Sequence, residues 1–170
     1  MHDKELILIV GQIAECLIKN NKRLAVAESC TGGWVAKVLT DMAGCSAWFD
    51  RGFVTYTNES KHEMLGVTES SLNTHGAVSE ATVIEMALGA LKMSHADYSL
   101  SISGIAGPGG GSTEKPVGLV WFSWAEKKDG KQHTLSSEQH VFDGDRDSVR
   151  RQAVIYTLKS LLKYLNACLG

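Results

Sequence analysis

Ala27-Glu28-Ser29-Cys30-Thr31-Gly32-Gly33 is the stretch around which the rest of this sequence is organised. An apolar, strand-like run (residues 24–27) leads into it, and a helix-like run (residues 34–39) follows it. A serine at such a junction lies beside unpaired backbone N–H groups and the positive end of the helix dipole. That environment suits an anionic ligand, or the oxyanion that forms when serine attacks a carbonyl. The alternative is that Ser29 or Thr31 only caps the helix.

Apolar periodicity on both sides of this stretch predicts helices that alternate with strands. Candidate N-caps are Asp3, Asn58, Ser79 and Asp145. Residues 104–116 form a glycine-rich loop, and residues 127–131 form a polar hairpin turn. We predict helices over residues 4–20, 31–40, 59–65, 69–73, 80–93 and from 146 onward, and strands over residues 23–27, 49–57, 97–103, 117–125 and 134–141.

This order predicts a three-layer α/β/α fold. Its sheet is mixed and mainly parallel, and a C-terminal hairpin plus a long helix completes it. The length of 170 residues and the lack of any linker predict a single domain spanning residues 1–170.

Composition narrows the function classes. With 44% hydrophobic and 21% charged residues, the chain is typical of globular proteins. A net charge of −2 argues against nucleic acid as a partner, and no apolar run has membrane-spanning length. The N-terminus is too charged for a signal peptide, and the four scattered cysteines indicate reduced thiols. We therefore expect a cytoplasmic location.

Lys61 is the second candidate for chemistry. If Asn58 is the N-cap, Lys61 is the third helical residue, where the helix dipole disfavours a cation. A partly buried lysine there can lose its proton near neutral pH and act as a general base. The alternative is a solvated surface lysine.

The segment from Ser101 to Gly111 ends a strand in a loop that is dense in glycine. Such a backbone can approach a ligand closely and aim N–H groups at it. No G-K-[ST] closes the loop as a Walker motif requires, and the alternative is a flexible connection. Further along the chain, Arg146 and Arg150 lie on one face of the last helix, and two guanidinium groups on one face suit a phosphate. The alternative is a solvated helix face without a ligand.

Other nucleophiles and bases receive less support. The six histidines form no metal-ligand pair, so we expect no metal site. Serine–histidine catalysis stays open, with His75 as the best-placed loop histidine. Cys30 could be a nucleophile at a helix start, although a packing role fits it better.

Six motifs follow one another along the chain: A-E-S-C-T-G-G (27–33), R-G-F-V-T-Y-T-N-E-S-K (51–61), H-G-A-V-S-E (75–80), S-I-S-G-I-A-G-P-G-G-G (101–111), K-P-V-G-L-V-W (115–121) and G-D-R-D-S-V-R-R-Q-A (144–153). Together they resemble the CinA C-terminal domain family, and more closely its stand-alone bacterial members, the nicotinamide-nucleotide amidohydrolases. The resemblance covers about residues 6–165.

This resemblance implies hydrolysis of the carboxamide of nicotinamide mononucleotide to nicotinate mononucleotide and ammonia. It implies a serine–lysine mechanism with neither metal nor cofactor, in which Ser29 is the nucleophile and Lys61 the base. Tyr56 would be an auxiliary hydrogen-bonding group, and Ser103 would help to complete the site.

The substrate is expected to contact backbone N–H groups and an anion site. The oxyanion donors would come from Cys30, Thr31, Gly32 and Gly33. The phosphate would bind to residues 107–111 or to Arg146. The loop glycines assigned to substrate binding are Gly104, Gly107, Gly109 and Gly110.

Two other function classes stay open. The family includes domains whose catalytic function is doubtful, so the chain could be an inactive nucleotide-binding or regulatory domain. A pure interaction scaffold is suggested only by the family's link to competence. Four tryptophans and the long last helix leave room for a homodimer.

Overall fold

A computed structural model describes residues 4–170. Asp3, the predicted N-cap of the first helix, lies outside the described residues. The strands are β1 (Leu24–Glu28), β2 (Phe49–Val54), β3 (Tyr98–Gly104), β4 (Leu119–Lys128) and β5 (Lys131–Val141). The helices are α1 (Lys4–Lys19), α2 (Trp34–Thr40), α3 (Asn58–Leu65), α4 (Glu69–His75), α5 (Glu80–Lys92) and α6 (Arg146–Leu169).

The five strands form one sheet in the order β2-β1-β3-β4-β5. β1 pairs in parallel with β2 and β3, whereas the β3–β4 and β4–β5 pairs are antiparallel. The predicted mixed sheet with a C-terminal hairpin is therefore confirmed. Only β4 runs against the other strands. Because β4 lies between β3 and β5, the neighbouring pairs nevertheless divide equally between parallel and antiparallel.

Helices cover both faces of the sheet, which gives the three predicted layers. α1, α2 and α6 pack on one face, and α3, α4 and α5 pack on the other. β1 shows why both faces are closed. Leu24 and Val26 point into the first core, while Ala25 and Ala27 point into the second, so the whole strand is buried.

Serines attach α5 to the second face. Ser99, Ser101 and Ser103 alternate along β3 and so point to the same side of the sheet. Their hydroxyls donate to the carbonyls of Ala87, Val83 and Ala77, over 2.7, 2.6 and 2.7 Å respectively. Ser103 is the last member of this series.

Several boundaries differ from the prediction for local reasons. β4 begins at Leu119 and not at Val117, because Gly118 has a φ of +94° that a strand cannot contain. The hairpin turn is the two-residue pair Asp129–Gly130, both in the left-handed region. The Ser79 and Asp145 caps are confirmed, since their side chains accept from the amides of Thr82 and Ser148.

The topology brings the chemistry to one edge. The parallel strands β1, β2 and β3 end at the same edge, and so does β5, after which α6 begins. Residues that follow these strands therefore converge there, as in other open α/β sheets. Within residues 4–170 no helix is both long and apolar enough to cross a membrane.

Two buried threonines give a matched test of the packing. Thr157 Oγ1 in α6 is buried and has no hydrogen-bond partner among residues 4–170. Thr82 Oγ1 in α5 is also buried, but it donates to the Gly76 carbonyl over 2.7 Å. We expect Thr157→Val to raise the free energy of unfolding by about 1 kcal/mol, because it removes an unpaired hydroxyl. Thr82→Val should lower it by about the same amount. Denaturant unfolding measures both, and an equal loss in both variants would contradict the expectation.

Candidate active site

Ser29 directly follows β1 and opens a tight turn. Its N–H donates to the Ile102 carbonyl of β3 over 3.0 Å, and its own carbonyl accepts from the Gly32 N–H over 3.0 Å. Gly32 and Gly33 have φ values of +61° and +96°, which other residues rarely adopt. The turn thus needs both glycines, and α2 begins only at Trp34. The predicted start at Thr31 is wrong because the positive φ values at these glycines are not helical.

Glu28 binds the N-terminus of α2. Its carboxylate is fully buried and accepts from the backbone N–H groups of Gly33, Val35 and Ala36 at 2.8–3.1 Å. It also accepts from the Thr31 hydroxyl over 2.6 Å. This role of Glu28 was not predicted, although an acidic residue at the end of a buried strand and just before a helix is a usable signal.

This carboxylate corrects two expectations. The N-terminus of α2 already binds the Glu28 carboxylate, so it is closed to the anionic ligand that was expected beside Ser29. The Gly33 N–H donates to Glu28, and the Gly32 N–H donates to Ser29. Neither of these two N–H groups is therefore available to an oxyanion.

Cys30 and Thr31 carry the two remaining N–H groups of the turn. Both residues are buried, yet within residues 4–170 neither N–H group donates to another residue, and that of Cys30 lies only against its own thiol. Buried backbone donors without a partner are rare, and where they occur a ligand is a common reason. These two amides are thus the donors in the turn that a bound oxygen can use.

Lys61 reaches Ser29 from the other side of β1. α3 begins at Asn58 behind the N-cap Thr57, one residue earlier than predicted, because Thr57 forms a capping box with Ser60. Lys61 is 1% exposed, so the surface-lysine alternative is wrong. Its Nζ forms hydrogen bonds with Ser29 Oγ (3.0 Å) and the Thr55 carbonyl (2.8 Å).

Burial controls the charge of Lys61. Removal from water lowers the pKa of this lysine, and a nearby thiol, that of Cys30, opposes the shift only in part. Desolvation, more than the position in the helix, is therefore the reason that the amine tends to lose its proton. A neutral amine at 3.0 Å from a hydroxyl oxygen can accept the hydroxyl proton.

The thiol of Cys30 is not prepared for attack. Burial raises its pKa to about 12, so the thiolate is scarce at neutral pH. Cys30 instead belongs to the core on the α1, α2 and α6 face. This agrees with the packing interpretation of the residue.

Arg146 joins two other predicted site residues. From the start of α6 its guanidinium donates to the Tyr56 hydroxyl (2.7 Å) and the Gly107 carbonyl (2.9 Å). Tyr56 is 55% exposed, and no hydrogen bond within residues 4–170 joins its hydroxyl to Ser29 or Lys61. Arg146 is also exposed, so an incoming ligand can reach this group.

Arg150 lies one turn further along α6 and contacts the serine turn itself. Its Nε donates to the Cys30 carbonyl and its Nη2 donates to the Thr31 carbonyl, both over 3.1 Å. The guanidinium also lies over the Trp34 ring, 5.1 Å from its centroid. The phosphate-binding interpretation of the sequence did not foresee these backbone contacts.

The glycine-rich loop is attached at its base and exposed at its tip. Gly104 ends β3, where a Cβ would lie 2.7 Å from a Val120 methyl, and the buried Gly107 has a φ of +82°. Gly109 and Gly110 are exposed at the tip. The Ser103 hydroxyl is engaged with Ala77, away from the Ser29–Lys61 pair.

The structure therefore forms two groups of the predicted residues. Ser29 and Lys61 are in direct contact, and Tyr56, Gly107 and Arg146 form a second, more exposed group. The side chain that is hydrogen-bonded to Ser29 Oγ is Lys61 and not a histidine, and His75 is exposed at the end of α4.

Comparison with known proteins identifies the family. The profile of the CinA C-terminal domain matches residues 8–165. Nicotinamide-nucleotide amidohydrolase PncC from Escherichia coli (strain K12) is 57% identical over 161 residues, which cover 95% of each chain. The PncC of Pseudomonas putida is 46% identical over 155 residues, covering 91% of this chain and 94% of its own. The solved structure of the competence/damage inducible protein CihA from Agrobacterium tumefaciens has a TM-score of 0.89 at 42% identity, covering 98% of both chains. This chain belongs to the CinA C-terminal domain family.

Proposed function

We propose that this protein is an amidohydrolase that converts nicotinamide mononucleotide to nicotinate mononucleotide and ammonia. The observation that carries the proposal is the buried contact of 3.0 Å between Lys61 Nζ and Ser29 Oγ. The names of the relatives with 46% and 57% identity support the choice of substrate. No metal or cofactor takes part in the proposed reaction.

In the proposed first step, neutral Lys61 takes the proton of the Ser29 hydroxyl while Oγ attacks the carboxamide carbon. The carbonyl oxygen becomes an oxyanion, and the N–H groups of Cys30 and Thr31 donate to it. The carbon–nitrogen bond then breaks, and protonated Lys61 returns the proton to the leaving nitrogen, which departs as ammonia. An ester between the nicotinoyl group and Ser29 remains.

In the second step, Lys61 accepts a proton from water while the water oxygen attacks the ester. When the second oxyanion collapses, protonated Lys61 returns its proton to Ser29 Oγ and the acid is released, which then loses its own proton to water as the carboxylate product. A positively charged pyridinium ring near Lys61 would further disfavour the ammonium form. Substrate binding would then help to keep the base neutral.

The remaining predicted residues receive roles in binding. Tyr56 and Arg146 form a polar group outside the Ser29–Lys61 pair, where the ribose phosphate is expected to bind. Gly109 and Gly110, at the exposed tip of the loop, leave room for the substrate. Gly104 and Gly107 let the base of the loop pack closely against Val120 and Val117, and Ser103 fixes the end of β3. The cytoplasmic location and the homodimer stay predictions.

An ammonia-release assay tests the proposal directly. Nicotinamide mononucleotide is the substrate, and nicotinamide and nicotinamide riboside are run beside it. We expect release of ammonia in equal amount to nicotinate mononucleotide. A protein that binds the nucleotide without releasing ammonia would instead be an inactive regulatory domain. An interaction scaffold would release no ammonia either, and Ser29→Ala would not change its binding to a partner.

Removal of the nucleophile gives the first prediction on function. Ser29→Ala should lower kcat by a factor on the order of 10³ or more, because no acyl-enzyme can form. Intact-protein mass spectrometry during turnover should detect the nicotinoyl adduct in the parent protein and not in the variant. Near-full activity of a folded Ser29→Ala variant would show that another group attacks the amide.

Removal of the base should be equally severe. Lys61→Met should abolish turnover, whereas Lys19→Met, an exposed lysine of α1, should not. Activity of the parent protein should rise with pH, because only neutral Lys61 accepts the proton. Since burial lowers the pKa of Lys61, the midpoint of this rise should lie below the ~10.4 of free lysine. A histidine variant as inactive as Lys61→Met would contradict the assignment.

The phosphate gives the prediction on specificity. Nicotinamide riboside should be a much poorer substrate than the mononucleotide, because a charge-assisted hydrogen bond to phosphate is worth roughly 1.5–3 kcal/mol. Arg146→Ala should raise KM for the mononucleotide and should change kcat less than Ser29→Ala does. It should also reduce the ratio of kcat/KM for the mononucleotide to kcat/KM for the riboside. If this ratio is unchanged in Arg146→Ala, the backbone N–H groups of residues 107–111 bind the phosphate instead.

A further inference from the structure

Arg150 connects two segments that are far apart in the chain. It lies in α6, about 120 positions after the serine turn, and donates to two consecutive carbonyls of that turn. Trp34, the first residue of α2, lies against the guanidinium face. The guanidinium is a planar group with several N–H donors, so it can bind both carbonyls at once and fix their orientation.

Peptide planarity carries this constraint to the N–H groups. In a trans peptide the C=O of one residue and the N–H of the next point in opposite directions. Because the Cys30 carbonyl points at Arg150, the Thr31 N–H points away from it. The Thr31 carbonyl, which Arg150 also holds, shares its peptide with the Gly32 N–H. That N–H donates to the Ser29 carbonyl, which in turn fixes the direction of the Cys30 N–H.

The peptides of the turn are thus fixed from two sides. Arg150 holds the carbonyls of Cys30 and Thr31, and Glu28 holds the Thr31 hydroxyl and the Gly33 N–H. Within residues 4–170, the N–H groups of Cys30 and Thr31 are the donors of the turn that have no acceptor on another residue. They immediately follow the serine that is bonded to Lys61.

We infer that Arg150 is a positioning residue, which holds the N–H groups of Cys30 and Thr31 in the orientation that stabilises the oxyanion. It does so without touching the substrate. Its positive charge polarises the peptide that joins Cys30 to Thr31, and so also favours negative charge at the Thr31 N–H. The inference rests on the proposed function, in which Ser29 attacks a carbonyl.

This role differs from phosphate binding in a measurable way. A phosphate ligand contributes to binding of the ground state, so its loss raises KM. A group that orients oxyanion donors acts in the transition state, so its loss lowers kcat with little change in KM. Misplacement of a catalytic group by about 1 Å can cost roughly 10²-fold in rate.

The first experiment compares kinetics of Arg150→Ala and Arg150→Lys with those of Lys159→Ala. Lys159 is on the same helix and forms an exposed ion pair with Glu5 over 2.6 Å. We expect kcat to fall about 10- to 100-fold in Arg150→Ala, with KM within about threefold of the parent value. Arg150→Lys should be intermediate, since one ammonium cannot reproduce the fork. Lys159→Ala should match the parent.

Two readouts exclude a merely structural defect. Guanidinium chloride at millimolar concentration should restore part of kcat in Arg150→Ala and none in Ser29→Ala. The rising limb of the pH profile should stay at the parent position in both Arg150 variants, because the arginine acts on the turn and not on Lys61. If Arg150→Ala does not fold, Arg150→Lys with the same readouts keeps the inference testable.

A substrate-independent readout separates this inference from the proposed function. A fluorophosphonate probe reacts when Ser29 Oγ forms a bond to phosphorus, fluoride leaves and Lys61 takes the hydroxyl proton. Mass spectrometry should show Ser29 labelled in the parent protein and labelled at least tenfold more slowly in Arg150→Ala. If the parent is labelled but releases no ammonia from nicotinamide mononucleotide, the substrate proposal fails and the labelling rates alone decide the role of Arg150.

Three results would overturn the inference. The first is kcat and labelling rates in Arg150→Ala within twofold of the parent values. The second is a raised KM with unchanged kcat, which would make Arg150 a phosphate ligand. The third is a parent protein that neither turns over nor is labelled, which would remove the nucleophile that both proposals need.

Discussion

The buried carboxylate of Glu28 is the constraint on which the site depends. It sits at the end of β1 and binds the first N–H groups of α2, so it joins strand to helix across the serine turn. A buried carboxylate is costly unless it is fully hydrogen-bonded, and here four donors supply the compensation. The turn between these fixed ends has little freedom. Ser29 is therefore presented to Lys61 by rigid elements, which is what catalysis by positioned groups requires.

α6 supplies the second constraint, from the other end of the chain. Its first two turns carry Arg146 and Arg150, which contact three separate segments: the serine turn, the residue Tyr56 after β2, and the glycine-rich loop after β3. Each segment follows a different strand, and nothing in its own sequence sets its position relative to the others. Folding of α6 onto the sheet thus assembles the site, and the hydrophobic packing of α6 is coupled to its chemistry.

Patterns within a few residues predicted much of this molecule. The strand–turn–helix at Ser29, the helix that carries Lys61 and the C-terminal hairpin follow from periodicity, capping and turn residues. The sequence did not predict that Glu28 occupies the helix terminus, nor that Arg150 points at backbone carbonyls. Both facts depend on the depth of burial and on contacts across as many as 120 positions, which local spacing does not encode. The burial of Lys61 belongs to the same class, because the amine is removed from water only where the fold brings it against Ser29 and the Thr55 carbonyl.

The same constraint decides where the negative charge of a nucleotide can bind. A helix N-terminus beside a serine would ordinarily be the first choice for a phosphate. In this protein Glu28 already accepts hydrogen bonds from the N–H groups at the N-terminus of α2. A second anion at that position would be repelled by the carboxylate and would find few free donors. In the proposed reaction, the reacting oxygen and the phosphate therefore use different groups. The oxygen is expected at the N–H groups of Cys30 and Thr31, and the phosphate on the exposed side near Arg146. Such a separation would match the proposed substrate, which carries its carboxamide on the pyridinium ring at one end of the ribose and its phosphate at the other end.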